Sequence, residues 1–204
     1  MSGTTGDFDM ELPNLGDDRP GLEELDDLDL DDAEDEGDDY DDYPDDATDD
    51  DIDMVVALYR EDGQPVVLAL DAELANDFDG LITQLRRVPG DGGALGMVSL
   101  ATEVFVLVRV RGKHVQVLLS DVGAAEDWPI ARDVADYLGV ELPEEDDDAY
   151  PVGDLEMLAD SGLHDFELEA IASNYDDDSV TLLEQIAERI KYGREFTQAV
   201  AALD

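Results

Sequence analysis

The chain has 204 residues, 57 of them acidic and 11 basic, for a formal net charge of −46. That balance opposes long-range attraction to phosphate backbones, so direct nucleic-acid binding is disfavoured. Without cysteine there are no disulfides, thiolate nucleophiles or Cys-containing zinc sites, and two histidines, His114 and His164, are too few for a three-histidine metal site.

Between Asp7 and Asp53 lie 25 of the acidic residues, with Arg19 as the single basic one. Self-repulsion and sparse apolar residues predict a disordered acidic arm over residues 1–53, with Leu22, Leu25 and Leu28 able to form a short helical face on a partner. Asp32, Glu34, Glu36 and Gly37 match the first, third, fifth and sixth positions of a calcium loop. Its twelfth position is Tyr43, where a bidentate carboxylate is needed, so no metal site is expected. The first residues lack a basic start and an apolar stretch, and no apolar run approaches the roughly 20 residues that span a bilayer. A cytoplasmic protein without a membrane segment is the expectation.

Order is expected from Met54, in an α+β domain over residues 54–142. Met54–Tyr59 and Val66–Leu70 read as strands joined by a turn containing Asp62-Gly63. Leu74, Phe78, Leu81, Ile82, Leu85 and Val88 recur at helical spacing, with Asp71 as N-cap, Arg86 and Arg87 in the last turn, and Pro89-Gly90 as the stop. Ala94–Leu100, Val104–Arg111 and His114–Ser120 then read as three more strands, and Gly112-Lys113 suits a two-residue hairpin turn with glycine first. Pro129 starts a helix that ends before Gly139. The order ββαβββα with short connections predicts a five-stranded antiparallel sheet with both helices on one face.

Glu144–Asp148 is the best internal boundary. Beyond it, residues 150–204 read as a small helical subdomain packed on the sheet: Asp154–Asp160 closed by Gly162, Asp165–Asn174, Ser179–Tyr192 closed by Gly193, and Arg194–Leu203. Thr181 and Glu184 fit a capping box, and Leu182, Leu183, Ile186 and Ile190 form a buried stripe. Such short helices need tertiary support.

No arrangement of residues names a reaction. Gly90-Asp91-Gly92-Gly93 lacks the lysine of a phosphate loop and precedes a strand. Ser99, Ser120, Ser161, Ser173 and Ser179 lack a nucleophile-elbow context, and the abundant carboxylates cannot be paired by sequence. No cofactor and no catalytic residue is assigned. Two features point to a partner surface instead. Arg109, Arg111, Lys113 and His114 gather on one hairpin, where they either receive an acidic or RNA partner or pair with the chain's own carboxylates. Trp128, the single tryptophan, either anchors a partner or closes the core at the sheet edge.

The ordered segments Gly93-Ala94-Leu95-Gly96-Met97-Val98-Ser99, Phe105–Gly112, Leu118-Leu119-Ser120-Asp121 to Trp128-Pro129, and Val152-Gly153-Asp154-Leu155 resemble the bacterial tRNA adenosine deaminase-associated proteins. The resemblance covers about residues 54–204. It implies a non-catalytic accessory protein associated with the zinc enzyme that converts a wobble adenosine of tRNA to inosine. That chemistry uses H-x-E and P-C-x-x-C signatures, both missing here, so no family active-site residue is carried over. Beside this stand two other readings: an acidic mimic of nucleic acid that occupies a basic RNA-binding partner, and an enzyme with an unrecognised site. Oligomeric state is not legible.

Overall fold

The computed structural model describes residues 43–143 and 149–203. The Leu22–Leu28 face, most of the acidic arm, the calcium-loop positions before Tyr43 and the 144–148 acidic run lie outside the described residues. Ordered contacts begin before Met54. The Asn76 side chain holds Ala47 by two bonds: Ala47 N–H donates to Asn76 Oδ1 at 2.8 Å, and Asn76 Nδ2 donates to the Ala47 carbonyl at 2.9 Å. Ala47 is buried, and the Tyr43 hydroxyl donates to Asp133 Oδ1 at 2.8 Å. Removal from water, the Asp133 hydrogen bond and neighbouring carboxylates push the Tyr43 phenol up to about 12.

Apolar side chains on both sides of a strand call for a sheet covered on both faces. Strand β1 (Ile52–Glu61) sends Val55, Ala57 and Tyr59 into one core and Met54, Val56 and Leu58 into another. Asp62 and Gly63 both take positive φ, +50° and +78°, as a two-residue type I′ turn requires. The chain returns as β2 (Gln64–Ala69), which forms one edge of the sheet.

The expected helix from Asp71 is two pieces. Asp71 caps a 3₁₀ turn at Ala72–Ala75, and Asp77 starts helix α1 (Phe78–Arg87) by accepting from the Gly80 N–H at 2.7 Å. A second good capping residue restarts the helix, so the apolar period survives while its register is broken. Phe78, Leu81, Ile82 and Leu85 form the buried face of α1. Strand β3 (Ala94–Leu100) carries Gly96 directly beneath it, where an added Cβ would lie 2.9 Å from Leu85 Cδ1. The glycine lets the helix approach the sheet closely.

Strands β4 (Val104–Arg111) and β5 (His114–Leu119) complete the antiparallel meander. Gly112 has φ +61° at the first turn position, as expected for the β4–β5 hairpin. Helix α2 (Pro129–Leu138) ends at Gly139, left-handed with φ +67°. It shares with α1 the face made by Val104, Val106, Val108 and Val110. The sheet has six strands, in the order β2-β1-β3-β4-β5-β6, where five were expected. The sixth, β6 (Val152–Gly153), pairs with Leu118 and Leu119 of β5. Two residues carry no readable period, which is why the sequence hid it.

The opposite face is covered by α3 (Asp165–Ala172), α4 (Ser179–Arg189) and α5 (Gly193–Val200). Helix α4 lies across β3 and β4, and α5 reaches β2. Their side chains Leu168, Leu182, Leu183, Ile186 and Phe196 bury Met97, Phe105, Leu107 and Leu118. The stretch expected as a helix over Asp154–Asp160 is turns and a 3₁₀ segment, Ala159–Ser161, closed by left-handed Gly162. Asp178, rather than Thr181, caps α4, accepting from the Thr181 N–H at 2.8 Å.

Candidate functional site

Three of the serines, Ser99, Ser120 and Ser179, are buried and already bonded. Ser99 Oγ donates to Asp53 Oδ2 at 2.8 Å and lies 2.6 Å from Ser179 Oγ. Because Ser99 has one proton and gives it to Asp53, Ser179 is the donor of the second bond. The Thr102 N–H adds a 2.7 Å bond to the same Asp53 oxygen, and the Thr102 carbonyl accepts from the Ser179 N–H at 2.9 Å. This cluster ties the start of α4 to β1 and β3. Ser120 Oγ accepts from the Phe105 N–H at 2.9 Å, within the sheet.

The sequence-chosen cations divide. Arg109, on the β4 face toward the C-terminal helices, has a side chain only 13 % exposed and meets Asp160 through two contacts, 2.6 and 3.0 Å. It also donates to the Met157 carbonyl. Arg111 reaches the same carboxylate at 2.9 Å and gives its other nitrogen to Gln116 Oε1 at 2.9 Å. One carboxylate therefore answers two arginines, and β4 is clipped to the 3₁₀ segment after β6. Lys113 and His114 stand exposed at the β4–β5 turn without an ion pair among the described residues. Trp128 occupies the N-cap position of α2 and packs, partly buried, against the α1–α2 core on the other face. The fold thus does not gather Trp128 with the hairpin cations.

The hydrogen bond from Arg109, with the charges of Arg109 and Arg111, holds the Asp160 carboxyl below the usual carboxylate range. A depressed acid stabilises the fold above its unfolded pKa, about 3.9, and that contribution is lost as pH falls through the lower folded value. Asp160→Asn is expected to cost about 1–2 kcal/mol at pH 7, a value discounted because the carboxylate is half exposed. Urea unfolding of both proteins should show that gap closing below about pH 4.

Beside Arg109 the end of the sheet opens into a cleft of about 400 Å³. The register sets it: Tyr59 lies opposite Ala94 and Leu95 opposite Arg109, so the end of β1, the start of β3 and the end of β4 converge there. Leu58, Leu95, Leu158 and Ile190 give it apolar walls, and Arg60, Arg109, Lys191 and Tyr192 bring polar groups. The Arg60 guanidinium carbon sits 5.1 Å from the Tyr192 ring centroid, within cation–π range. Burial raises the Tyr192 phenol while Arg60 and Arg109 pull it down, so the hydroxyl feels both cations. Arg60 lies far in sequence from the adjacent Lys191-Tyr192, and no motif links them, so the sequence does not single them out.

Among the described residues no group of three or more His, Asp or Glu side chains is arranged to hold a metal ion, and no helix is long and apolar enough to cross a membrane. The architecture defines an α+β protein whose single antiparallel sheet is covered by helices on both faces. Residues 53–193 match the profile of the Rv3753c-like tRNA adenosine deaminase-associated proteins, and the chain belongs to that family. It is 31 % identical over 151 residues to Protein Rv3753c of Mycobacterium tuberculosis, covering 72 % of this chain and 87 % of that protein. No solved structure matches it.

Proposed function

We propose that this chain is a non-catalytic accessory protein that associates with a tRNA adenosine deaminase, the enzyme that makes wobble inosine. The family match over residues 53–193 carries the reading. Two observations support the non-catalytic part. The chain has no cysteine and no H-x-E from which to build a deaminase zinc site, and its buried serines spend their hydroxyls on the fold. The exposed tip Lys113–His114 is the surface we assign to the contact, since Asp160 occupies Arg109 and Arg111.

Affinity capture of the tagged chain at its native level, from its own cells, is expected to retrieve the deaminase. Charge reversal of the tip, K113E with H114E, should lower that recovery several-fold while the melting temperature stays within a degree or two, as exposed positions allow. Failure to retrieve the deaminase from native cells would overturn the association. Unchanged recovery with the reversed tip would move the contact elsewhere.

A further inference from the structure

The cleft at the sheet end concentrates positive charge on a chain that is otherwise strongly negative. Arg60, Arg109 and Lys191 line it against Asp91 and Asp160, and Asp160 is already shared with Arg111. Arg60 and Lys191 form no ion pair among the described residues, although carboxylates abound on this surface. Arg60 donates one nitrogen to the Gly63 carbonyl at 3.2 Å and lies over the Tyr192 ring, but no carboxylate among the described residues neutralises its charge or that of Lys191.

Lys191 adds a second, independent sign. Helix α4 ends in a Schellman motif: the Tyr192 N–H donates to the Ala187 carbonyl at 2.8 Å, and the Lys191 N–H to Glu188 at 3.2 Å. The residue between helix and turn in that motif is left-handed, a place that favours glycine, and Lys191 holds it with φ +71°. Gly193, expected from the sequence to end α4, instead begins α5, where an added Cβ would lie 2.7 Å from Glu188 Cγ. One of only two lysines in the chain thus occupies a strained position at the mouth of the cleft. Strain kept in this way commonly marks a side chain held for a ligand.

The rest of the lining fixes the shape of that ligand. Leu58, Leu95, Leu158 and Ile190 offer apolar walls, and the Tyr192 ring, with the Arg60 guanidinium 5.1 Å from its centroid, adds an aromatic surface. A volume of about 400 Å³ lies at the lower end for small-molecule sites. We propose that this cleft binds a small aromatic phosphate of mononucleotide size, with the phosphate on Arg60 and Lys191 and the flat ring against the apolar wall. The inference rests on the cleft alone and stands independently of the deaminase association.

Calorimetric titration of the full chain with AMP, ribose 5-phosphate and adenosine tests it. AMP is expected to bind at least tenfold more tightly than either fragment, because each fragment lacks one half of the recognition. R60Q and K191G should each weaken AMP at least tenfold. K191G should at the same time raise the melting temperature, since glycine relieves the left-handed position, which separates lost binding from lost folding. The proposal is overturned if AMP gives no saturable heat at millimolar concentration, if ribose 5-phosphate binds as tightly as AMP, or if R60Q and K191G bind AMP as the parent does.

Discussion

A chain cut after Asp154 is expected not to fold into a soluble cooperative unit. The cut leaves all six strands and both α1 and α2, so the core beneath those helices is formally intact. It removes everything that covers the other face, where Met54, Val56, Leu58, Leu95, Met97, Phe105, Leu107 and Leu118 are buried. Covering eight such side chains stabilises by about 1.5–3 kcal/mol each, or about 12–24 kcal/mol together. Net stabilities of whole domains are about 5–15 kcal/mol, so the loss exceeds what the remaining core can offset. Insolubility on expression, or dye binding with no sigmoidal urea transition, is the expected outcome. Cooperative unfolding of the truncated chain would instead make residues 54–142 a domain in their own right.

This two-faced sheet was partly legible in the sequence. Val104–Arg111 alternates Val104, Val106, Val108, Val110 with Phe105, Leu107, Arg109, Arg111, and an apolar residue on both sides of a strand announces cover on both faces. The turns were legible too, because Asp62-Gly63 and Gly112-Lys113 each place glycine where φ must be positive. What escaped were features set by tertiary contact. Asp71 and Asp77 are equally good caps, and only packing of Phe78 and Leu81 on the sheet decides that α1 starts at the second. Strand β6 exists because β5 presents an open edge, not because Val152-Gly153 favours a strand.

The candidate site divides in the same manner. Clustering of Arg109, Arg111, Lys113 and His114 was visible from their spacing on a hairpin, but the partner of the first two, Asp160, lies 49 or more residues away. Arg60 and Tyr192 meet across an even longer stretch of chain, through β1 and the α4–α5 turn. No local period encodes such a meeting. Lys191 carries no local signal either: it sits one residue beyond the C-cap Ile190 of α4, in a left-handed conformation that ordinarily favours glycine.

Gly153→Ala is expected to be among the most damaging single methyl groups in the described fold, costing about 3–5 kcal/mol. Gly153 has φ +121°, a region essentially closed to residues with a Cβ, and a Cβ there would lie 2.2 Å from the Val117 carbonyl oxygen. Neither that oxygen nor Leu118 Cα, 3.0 Å from the added Cβ, can yield cheaply, because both are backbone of β5, which pairs with β6. The same Val117 oxygen accepts the Asp154 N–H at 2.8 Å, and Asp154 in turn accepts from Gln116 Nε2 at 2.5 Å. Pushing β6 off β5 therefore adds two lost hydrogen bonds, about 1 kcal/mol each, to about 1–3 kcal/mol of backbone strain. Gly139→Ala separates these causes: Gly139 is also left-handed, at φ +67°, but a Cβ there meets nothing within 4 Å. It should cost only about 1 kcal/mol. Urea unfolding of both variants checks the difference, and equal costs would show that dihedral strain alone, not the approach of β6 to β5, keeps glycine at position 153.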